Sequence, residues 1–301
     1  MKFSKNTLCP ICKTGTSKDI GNYKDMLYGH LGEWKLLRCN HCKHESVHPP
    51  LSSKELESIY NLDTYYSFRT SKMNTISTFL RSKTRRMFPK NLKGKKILDY
   101  GCGDGEVLCL AKLAGAQVYG IEFGDTPEQL SRDLGLDIKS YPPSSWIGNM
   151  DYVRSFHSYE HITNPIEVLE QFKSLVTPVS GRILIGVPNV DSWTASIFGK
   201  YYFYRGVPLH LHGYTPSSIR YLANICDLEV VSLKTPGGFR GILGSIHLSL
   251  QGLTAKKSIE PSNKSLMFLL PLYLLILPVV LIGNFFLKGD VLEVELRKPN
   301  V

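Results

Sequence analysis

The sequence predicts an α/β fold with a mostly parallel sheet, a small cysteine-rich region before the sheet and an apolar helical insert near the end of the chain. Three features predict it: a strand, glycine turn, helix and strand between Lys96 and Glu122, two Cys-x-x-Cys pairs before residue 43, and the uncharged stretch Ser265–Leu287. The 301 residues suffice for one large domain or two modest ones.

The first feature combines a tight glycine turn with an acidic residue further along the chain. An apolar strand runs into Asp99, and three glycines then let the backbone turn tightly and come close to a ligand. These glycines are Gly101, Gly103 and Gly105. A helical pattern follows, and the next strand ends in Glu122. Backbone N–H groups at such a turn can hold an anionic group, and a carboxylate at the second strand's tip can accept hydrogen bonds from two ribose hydroxyls.

The composition limits the partners and the compartment. The formal net charge of +10 favours an anionic partner, such as nucleic acid, a phosphate-bearing substrate or an acidic membrane surface. Of the seven cysteines, four form the two Cys-x-x-Cys pairs, which fits a reducing compartment and a metal ion better than a set of disulfides. The N-terminus contains no apolar run, so we expect no signal peptide.

The two cysteine pairs, separated by 26 residues, can bring four thiolates to one metal ion in a tetrahedral site. The predicted ligands are Cys9, Cys12, Cys39 and Cys42. A closed four-cysteine site has no open position for a substrate, so we predict a structural zinc ion that supports folding. His41 and His44 are alternative ligands. A redox pair is the competing interpretation, but neither motif has a thioredoxin-like surrounding sequence.

The run D-Y-G-C-G-D-G from Asp99 to Gly105 resembles motif I of class I S-adenosylmethionine (SAM)-dependent methyltransferases. In that family the loop contacts the methionine part of SAM, and an acid after the second strand contacts the ribose; Glu122 matches that acid. A dinucleotide fingerprint would instead require a small residue at Glu106. The resemblance implies a Rossmann-like sheet with an antiparallel last strand. It also implies cofactor contacts from Asp99, Gly101, Cys102, Gly103, Gly105, Glu122, Phe123 and Phe156.

The segment after the fourth predicted strand, His157–Pro165, resembles the L-E-H-V-x-D-P segment of many such methyltransferases. It would lie beside the sulfonium of SAM, so His157, Glu160 and His161 are candidates for a general base or a substrate contact. On a long helix the two histidines could instead bind zinc as in an inverted zincin protease, but an Asn-Pro pair interrupts the helix. A purely structural role, holding the loop by hydrogen bonds, is the other alternative.

A long segment rich in aromatic residues, 190–214, runs into the sequence G-Y-T-P at Gly213–Pro216. This stretch is similar to the lid that closes over the acceptor site in this family. Loops of this length are commonly functional. His210 and His212 in this segment are therefore further candidates for the base, or histidines that only hold the lid together.

The uncharged stretch Ser265–Leu287 is long enough to cross a bilayer as a single helix. The following V-L-E-V-E-L-R alternates as a strand does, and the family resemblance makes it the antiparallel last strand of the sheet. Both ends of the insert would then lie on the same side of a membrane, so we expect it to dip into the membrane or lie on it. Phe239–Leu253 could form a second apolar helix, and a buried core or dimer helix is the alternative.

These features divide the chain into three predicted regions. They are a zinc-ribbon-like domain, 1–52, a basic helical linker, 53–92, and a methyltransferase domain, 93–301, with the apolar membrane-contacting insert at 238–288. Eight basic residues and no acidic ones occur between Arg81 and Lys96, which favours either phosphate binding or a solvated helix face. A zinc knuckle, proline turn and helix before the main domain are similar to bacterial sugar- and envelope-associated methyltransferases.

The resemblance implies transfer of a methyl group from SAM to a small or lipid-linked acceptor, such as a sugar, a polyprenyl-linked glycan or a quinone-type molecule. We expect the protein at the inner face of the cytoplasmic membrane, in contact with the membrane surface. One alternative is a non-catalytic membrane adaptor that binds SAM or a nucleotide. The other is a nucleic-acid methyltransferase, although no N/D-P-P-Y/F-type motif follows the fourth strand and a nucleic-acid partner is thereby disfavoured.

Overall fold

A computed structural model describes most of the chain outside the predicted linker. The described residues are 8–13, 16–27, 30–52, 55–56, 88, 91–123, 131–253 and 270–299. Nearly all of the basic linker helix lies outside them, as does the first part of the uncharged stretch. The predicted division into three regions, 1–52, 53–92 and 93–301 with the 238–288 insert, stays a prediction.

Eleven strands occur in the part of the chain that the structure describes. They are β1 (Ser17–Tyr23), β2 (Trp34–Cys39), β3 (Glu45–His48), β4 (Lys96–Tyr100), β5 (Gln117–Ile121), β6 (Asp137–Lys139), β7 (Tyr152–Phe156), β8 (Arg182–Pro188), β9 (His212–Gly213), β10 (Glu229–Lys234) and β11 (Val291–Arg297). Seven form one sheet in the order β10-β11-β8-β7-β4-β5-β6, and the other four form a smaller sheet.

The large sheet is mostly parallel, and its last strand is antiparallel. β11 pairs antiparallel with both β8 and β10, whereas the pairs among β8, β7, β4, β5 and β6 are all parallel. The chain therefore crosses over after each parallel strand, and the strands' carboxyl ends meet along one edge of the sheet. The predicted fold class, with a Rossmann-like sheet and an antiparallel strand after the insert, is confirmed.

Six helices of the described chain can be labelled in order. They are α1 (Glu106–Leu113), α2 (Pro165–Leu175), α3 (Trp193–Phe198), α4 (Pro216–Ile225), α5 (Phe239–Leu253) and α6 (Leu270–Phe285). Thr215 caps α4 as predicted: its hydroxyl accepts a hydrogen bond from the N–H of Ser218, whose side chain accepts in return from the Thr215 N–H. Helices on both faces bury the central strands, so adjacent residues Ile97 and Leu98 of β4 are both fully buried.

The smaller sheet joins the N-terminal region to the segment predicted as a lid. β1, β2 and β3 form an antiparallel meander, and the short strand β9 pairs with β3. The expected long loop of 190–214 contains more structure than the sequence suggested, because α3 begins at Trp193 and Ser192 caps it by accepting a hydrogen bond from the N–H of Ala195. The lid segment is thus joined to the N-terminal sheet through β9.

The apolar insert leaves the sheet after β10 and returns to it at β11. Its ends therefore lie at the same edge of one sheet, as predicted from the strand periodicity of Val291–Arg297. In the residues that the structure describes, no helix is both long enough and apolar enough to cross a membrane. A single transmembrane helix is accordingly not found there. α6 exposes large apolar side chains, including Leu275 at 79% and Phe285 at 82%.

Candidate active site

The glycine turn after β4 lies directly against the ends of the neighbouring strands. The N–H groups of Gly101 and Cys102 both donate to the carbonyl oxygen of Ile121, at 2.8 and 3.1 Å, which closes the turn over β5. Gly101 has φ = 78°, and a Cβ atom there would collide with the Ser158 side chain. Only glycine fits such a close approach between the turn and the segment that follows β7.

Glu122 stands beside this turn, at the tip of β5. Its two carboxylate oxygens accept hydrogen bonds from the N–H groups of Gly103, at 2.6 Å, and Phe123, at 2.9 Å. Burial raises the pKa of Glu122 to about 7, although these two hydrogen bonds favour the charged form. Each oxygen keeps a further lone pair, so the carboxylate can also accept hydrogen bonds from a ligand.

Asp99 takes a different position from the one expected. Its carboxylate is 1% exposed and accepts a hydrogen bond from the guanidinium of Arg154 on β7, at 2.6 Å. Burial raises the pKa of Asp99, and the charge of Arg154 opposes that shift. The prediction that Asp99 itself contacts the cofactor does not fit this placement. The carboxylate instead ties β4 to β7 beneath the turn.

Of the other predicted cofactor residues, Phe123 is exposed beside the glycine turn, whereas the side chain of Cys102 is buried in the core. Phe123 is half exposed, with its ring edge-on to Tyr100 at 5.7 Å, so it can present a flat apolar surface to a ligand. The Cys102 side chain packs instead with Leu108 in a core cluster, and only its backbone lies in the turn. The Phe156 ring lies under the Arg154 guanidinium, which is 4.4 Å from the ring centroid.

Four of the five predicted catalytic residues come together at the carboxyl end of β7. Glu160 is fully buried, and its Oε1 lies 3.5 Å from His157 Nδ1. The same oxygen lies 4.0 Å from His161 Nε2 and 3.8 Å from His210 Nε2. A carboxylate surrounded by three imidazoles can hold or relay a proton, or bind a cation.

Backbone carbonyls fix the orientation of two of these rings. His161 Nδ1 lies 2.9 Å from the carbonyl oxygen of Leu209, and His210 Nδ1 lies 2.9 Å from that of Tyr204. A carbonyl only accepts hydrogen bonds, so in each ring Nδ1 carries the proton and Nε2 faces Glu160. Burial lowers the pKa of His161 and of His210 to about 4.

His157 is the most exposed of the three histidines around Glu160. Its side chain is 40% exposed, and its ring stacks on that of Tyr204 with centroids 5.7 Å apart. Its backbone has φ = 52°, a left-handed conformation that is uncommon for a residue with a side chain and that concentrates at functional sites.

His212, the fifth predicted catalytic residue, does not join this cluster. It is 6% exposed, and its Nδ1 lies 2.9 Å from Nε2 of the buried His44. Burial lowers the pKa of His212 to about 4. The pair links the N-terminal sheet to the lid, so the placement of His212 favours the structural alternative over a role as a base.

A buried ion pair that no sequence motif indicates also holds the lid. Glu45, 2% exposed, is 2.6 Å from Arg205 of the lid and 3.0 Å from Arg38. Arg38 also contacts Asp191 at 3.0 Å. These charges are far apart in sequence and follow no local motif, so only the folded chain reveals them.

The four predicted zinc ligands converge at one end of the N-terminal sheet. Their sulfur atoms lie within 4.8 Å of one another, with Cys9 and Cys42 3.5 Å apart and Cys12 and Cys39 3.6 Å apart. Thiolates 2.3 Å from a tetrahedral zinc ion are about 3.8 Å apart, so the arrangement fits zinc. Residues Lys13 and Lys43, just after each pair, share a left-handed backbone conformation, as two similar turns would.

The alternative ligands His41 and His44 are occupied elsewhere. The ring of His41 packs edge-on against Tyr221, with centroids 5.0 Å apart, and His44 forms the pair with His212.

Comparisons with known proteins agree with this architecture. A model of the family described as "Methyltransferase domain" matches residues 72–233, more than half of the chain. A protein of Bordetella pertussis named ubiquinone biosynthesis O-methyltransferase is 28% identical over 186 residues, which cover 56% of this chain and 74% of that protein.

Two solved structures share the fold. The 1,6-didemethyltoxoflavin-N1-methyltransferase of Burkholderia thailandensis, solved with S-adenosylhomocysteine, has a TM-score of 0.50 at 12% identity and covers 89% of this chain and 96% of its own. The [4+2]-cyclase SpnF has the same TM-score and identity, covering 84% and 98%. Fold similarity at 12% identity does not show which reaction a protein catalyses. The match to the methyltransferase domain family supplies that information. The chain belongs to the methyltransferase domain family and is a class I SAM-dependent methyltransferase.

Proposed function

We propose that this enzyme methylates a small acceptor with an apolar portion, of the quinone type, at the inner face of the cytoplasmic membrane. The observation that carries the proposal is the position of the Glu160 cluster. It lies at the carboxyl end of β7, next to the glycine turn, with Gly101 in contact with Ser158. An acceptor held there would lie beside the methyl group of a cofactor bound at the turn.

On the cofactor side, we assign the ribose hydroxyls to Glu122 and the adenine to the exposed face of Phe123. The backbone of Gly101, Gly103 and Gly105 shapes the loop that meets the methionine part. Asp99 pairs with Arg154 and the Cys102 side chain packs in the core beneath this loop, and the ring of Phe156 packs against the Arg154 guanidinium.

The pH dependence of SAM binding tests the role of Glu122. Its carboxylate form accepts hydrogen bonds from the ribose, and its pKa is raised to about 7. Protonation should therefore weaken binding as the pH falls through 7. Between pH 7.5 and 5.5 we expect a loss of about 25-fold in affinity by calorimetry, if only the charged form binds. Glu122→Gln should bind more weakly but with a flat profile, and a pH-independent wild type would contradict the assignment.

On the acceptor side, we assign proton transfer to His157, with Glu160 orienting it. The acceptor atom attacks the methyl carbon, the carbon–sulfur bond breaks, and its electron pair stays on sulfur as S-adenosylhomocysteine forms. The acceptor's proton passes to the imidazole of His157, which is open enough to release it to water. Alignment of the two reactants supplies much of the rate in such a transfer.

The proposal of a quinone-type acceptor rests on relatives and on an apolar cavity. Relatives such as the Bordetella pertussis protein are named ubiquinone biosynthesis O-methyltransferases. A cavity of about 280 Å³ lies between α3, α5 and α6, and its walls are almost entirely apolar. Trp193, Ile242 and Val280 are among its lining residues. Such a cavity suits the apolar portion of an acceptor.

A series of packed residues connects this cavity with the Glu160 cluster by way of Tyr204. Asp290 lines the cavity, and Gly241 packs against both Asp290 and the ring of Tyr204. The Tyr204 ring in turn stacks on His157. Asp290, Gly241 and Tyr204 therefore connect the apolar cavity with the proposed proton acceptor.

The membrane part of the proposal rests on the apolar surface of α6. At least seven large apolar side chains on α6 and just after it are more than half exposed: Leu274, Leu275, Val279, Leu281, Ile282, Phe285 and Phe286. Monomeric soluble proteins rarely expose such a contiguous patch. The net charge of +10 adds attraction to an anionic lipid surface. We propose that α6 lies on the membrane interface without crossing it.

Methyl transfer from radiolabelled SAM tests the acceptor and the membrane together. We expect label in the organic extract of membranes supplied as acceptor. The double variant Leu275→Glu/Phe285→Glu should label detergent-solubilised acceptor normally but embedded acceptor at least about tenfold more slowly, because the charges oppose interfacial binding.

The matched control is Leu113→Glu/Val179→Glu, which introduces charge at two side chains that are 76% and 80% exposed and do not belong to α6. It should behave as the wild type does. Label confined to water-soluble molecules would contradict the membrane acceptor. Binding of SAM without transfer to any fraction would favour the non-catalytic adaptor.

We also propose that the four cysteines hold a structural zinc ion. The sulfur spacing fits zinc, and all four side chains are buried, which leaves no open position for chemistry.

A further inference from the structure

Glu160 is in an environment that a carboxylate does not normally tolerate. It is 0% exposed, and among the residues that the structure describes neither oxygen has a hydrogen-bond partner. Buried charges in proteins are normally paired, hydrogen-bonded or bound to a metal ion. The burial of Glu160 without a hydrogen-bond partner therefore points to a positive charge at this position.

The neighbouring imidazoles of His161 and His210, when neutral, provide no positive charge to Glu160. In His161 and His210 the Nδ1 proton points at a backbone carbonyl, and Nε2 faces Oε1 of Glu160. In a neutral ring with this tautomer, Nε2 carries a lone pair. Two nitrogen lone pairs and a carboxylate oxygen thus converge on one point. Hydrogen bonds from Nδ1 to a carbonyl are also the usual support of histidines that bind metals.

The spacing of these three donor atoms suits one ion. All lie within 4.8 Å of one another, and donors 2.1 Å from a tetrahedral ion are about 3.4 Å apart. Small side-chain rotations would close the difference from the observed 3.8 and 4.0 Å. The more exposed His157 borders the same carboxylate, with its Nδ1 3.5 Å from Oε1 of Glu160.

We infer that Glu160, His161 and His210 form a second metal site, separate from the four cysteines, for a divalent transition-metal ion of the Zn²⁺ or Co²⁺ type. The two imidazoles favour these ions over Mg²⁺ or Ca²⁺, which prefer all-oxygen sites, and zinc also accepts a carboxylate oxygen. Three protein ligands leave at least one position open to an exchangeable oxygen.

The role of this site rests on the proposed function. An acceptor hydroxyl bound at the open position would have a lowered pKa, and its proton would pass to His157. His210 comes from the lid and the other two ligands follow β7, so the ion would also fasten the lid to the sheet. Metal binding itself can be measured without any acceptor.

Cobalt titration of the full-length protein, loaded with one equivalent of zinc for the four cysteines, tests the site. The wild type should bind one further equivalent of Co²⁺, with visible ligand-field bands but no thiolate-to-cobalt charge-transfer band. Glu160→Gln and His210→Ala should each weaken this binding by more than about a hundredfold, since even loss of an outer-shell partner costs 10–100-fold. Both should keep the zinc held by the cysteines.

His247→Ala is the matched control, because His247 lies on α5 beside Gln251 and outside the cluster. It should take up cobalt as the wild type does. Glu160→Gln keeps the size of the side chain, so it remains informative if His210→Ala misfolds. Failure of the wild type to bind the second equivalent, or equal uptake by Glu160→Gln, would overturn the metal site. SAM titration of the same samples distinguishes a failure of the metal-site proposal from a failure of the proposed function. The proposed function requires SAM binding whether or not the second ion is bound.

Discussion

Glu122→Ala is expected to abolish SAM binding, with a loss of at least about a hundredfold in affinity. Two ribose hydroxyls that donate to one carboxylate make charge-assisted hydrogen bonds worth about 1.5–3 kcal/mol each. Losing both corresponds to about two to four powers of ten. The substitution also removes the acceptor for the N–H groups of Gly103 and Phe123, which loosens the turn itself. Calorimetry with SAM and with S-adenosylhomocysteine measures the effect.

The control for this variant is Asp137→Ala, which removes a carboxylate that is paired with Lys139 on an exposed part of β6. It should bind SAM as the wild type does. Zinc content should be unchanged in both variants, because the cysteines lie in the other sheet. Retention of SAM affinity in Glu122→Ala would refute the ribose assignment even if the fold is intact.

Local patterns in the sequence were sufficient to predict the strand, glycine turn and helix around Gly101. The order of strand, turn and helix around Gly101 depends only on residues close together in sequence. Glycine is required at this position because the turn needs a positive φ angle. The strand Val291–Arg297 was recognised by its alternation, with Leu292, Val294 and Leu296 buried. Its antiparallel pairing came from the family resemblance and is confirmed.

The acceptor half could be predicted only in part. The E-H pair and the lid histidines were each visible in sequence, but their separation of about 50 residues gave no indication of which would meet. Contact between His210 and Glu160 depends on the packing of the lid, whereas His212, two residues later, turns to the opposite side. His210 still belongs to a turn, with its N–H bonded to the carbonyl oxygen of Gly206, whereas His212 is the first residue of β9. The two histidines therefore do not lie on one regular strand, on which residues two apart would share a face.

Buried charges were the least predictable feature. Asp99 matched a family motif and was expected at the cofactor, yet Arg154 from the adjacent strand binds it. A parallel register places Asp99 opposite Arg154, and the low dielectric of the sheet interior makes their pairing necessary once both are buried. Helix α3, in contrast, could have been predicted, because Ser192 directly before Trp193 is a typical N-cap residue. The prediction of a long loop followed the aromatic composition of the segment and missed this signal.

Cys39→Ser is expected to remove the structural zinc and, with it, the ordered lid. Zinc binding contributes about 10–16 kcal/mol to the folding of small zinc modules at neutral pH, so losing one of four thiolates should empty the site. The module's strand β3 pairs with β9, and Glu45 holds Arg205 of the lid. Without these contacts His210 would no longer be held beside Glu160.

Metal analysis and two assays distinguish this coupling from general unfolding. Zinc should fall from one equivalent per chain at the four cysteines to nearly none, and methyl transfer should fall by at least about a hundredfold, as misplacement by 1 Å can cause. SAM affinity should stay within about threefold, because Gly103 and Glu122 lie on the large sheet. Cys109→Ser, at a half-buried cysteine of α1, is the control and should change none of the three. Full activity in a zinc-free Cys39→Ser protein would show that the lid is ordered by the chain alone.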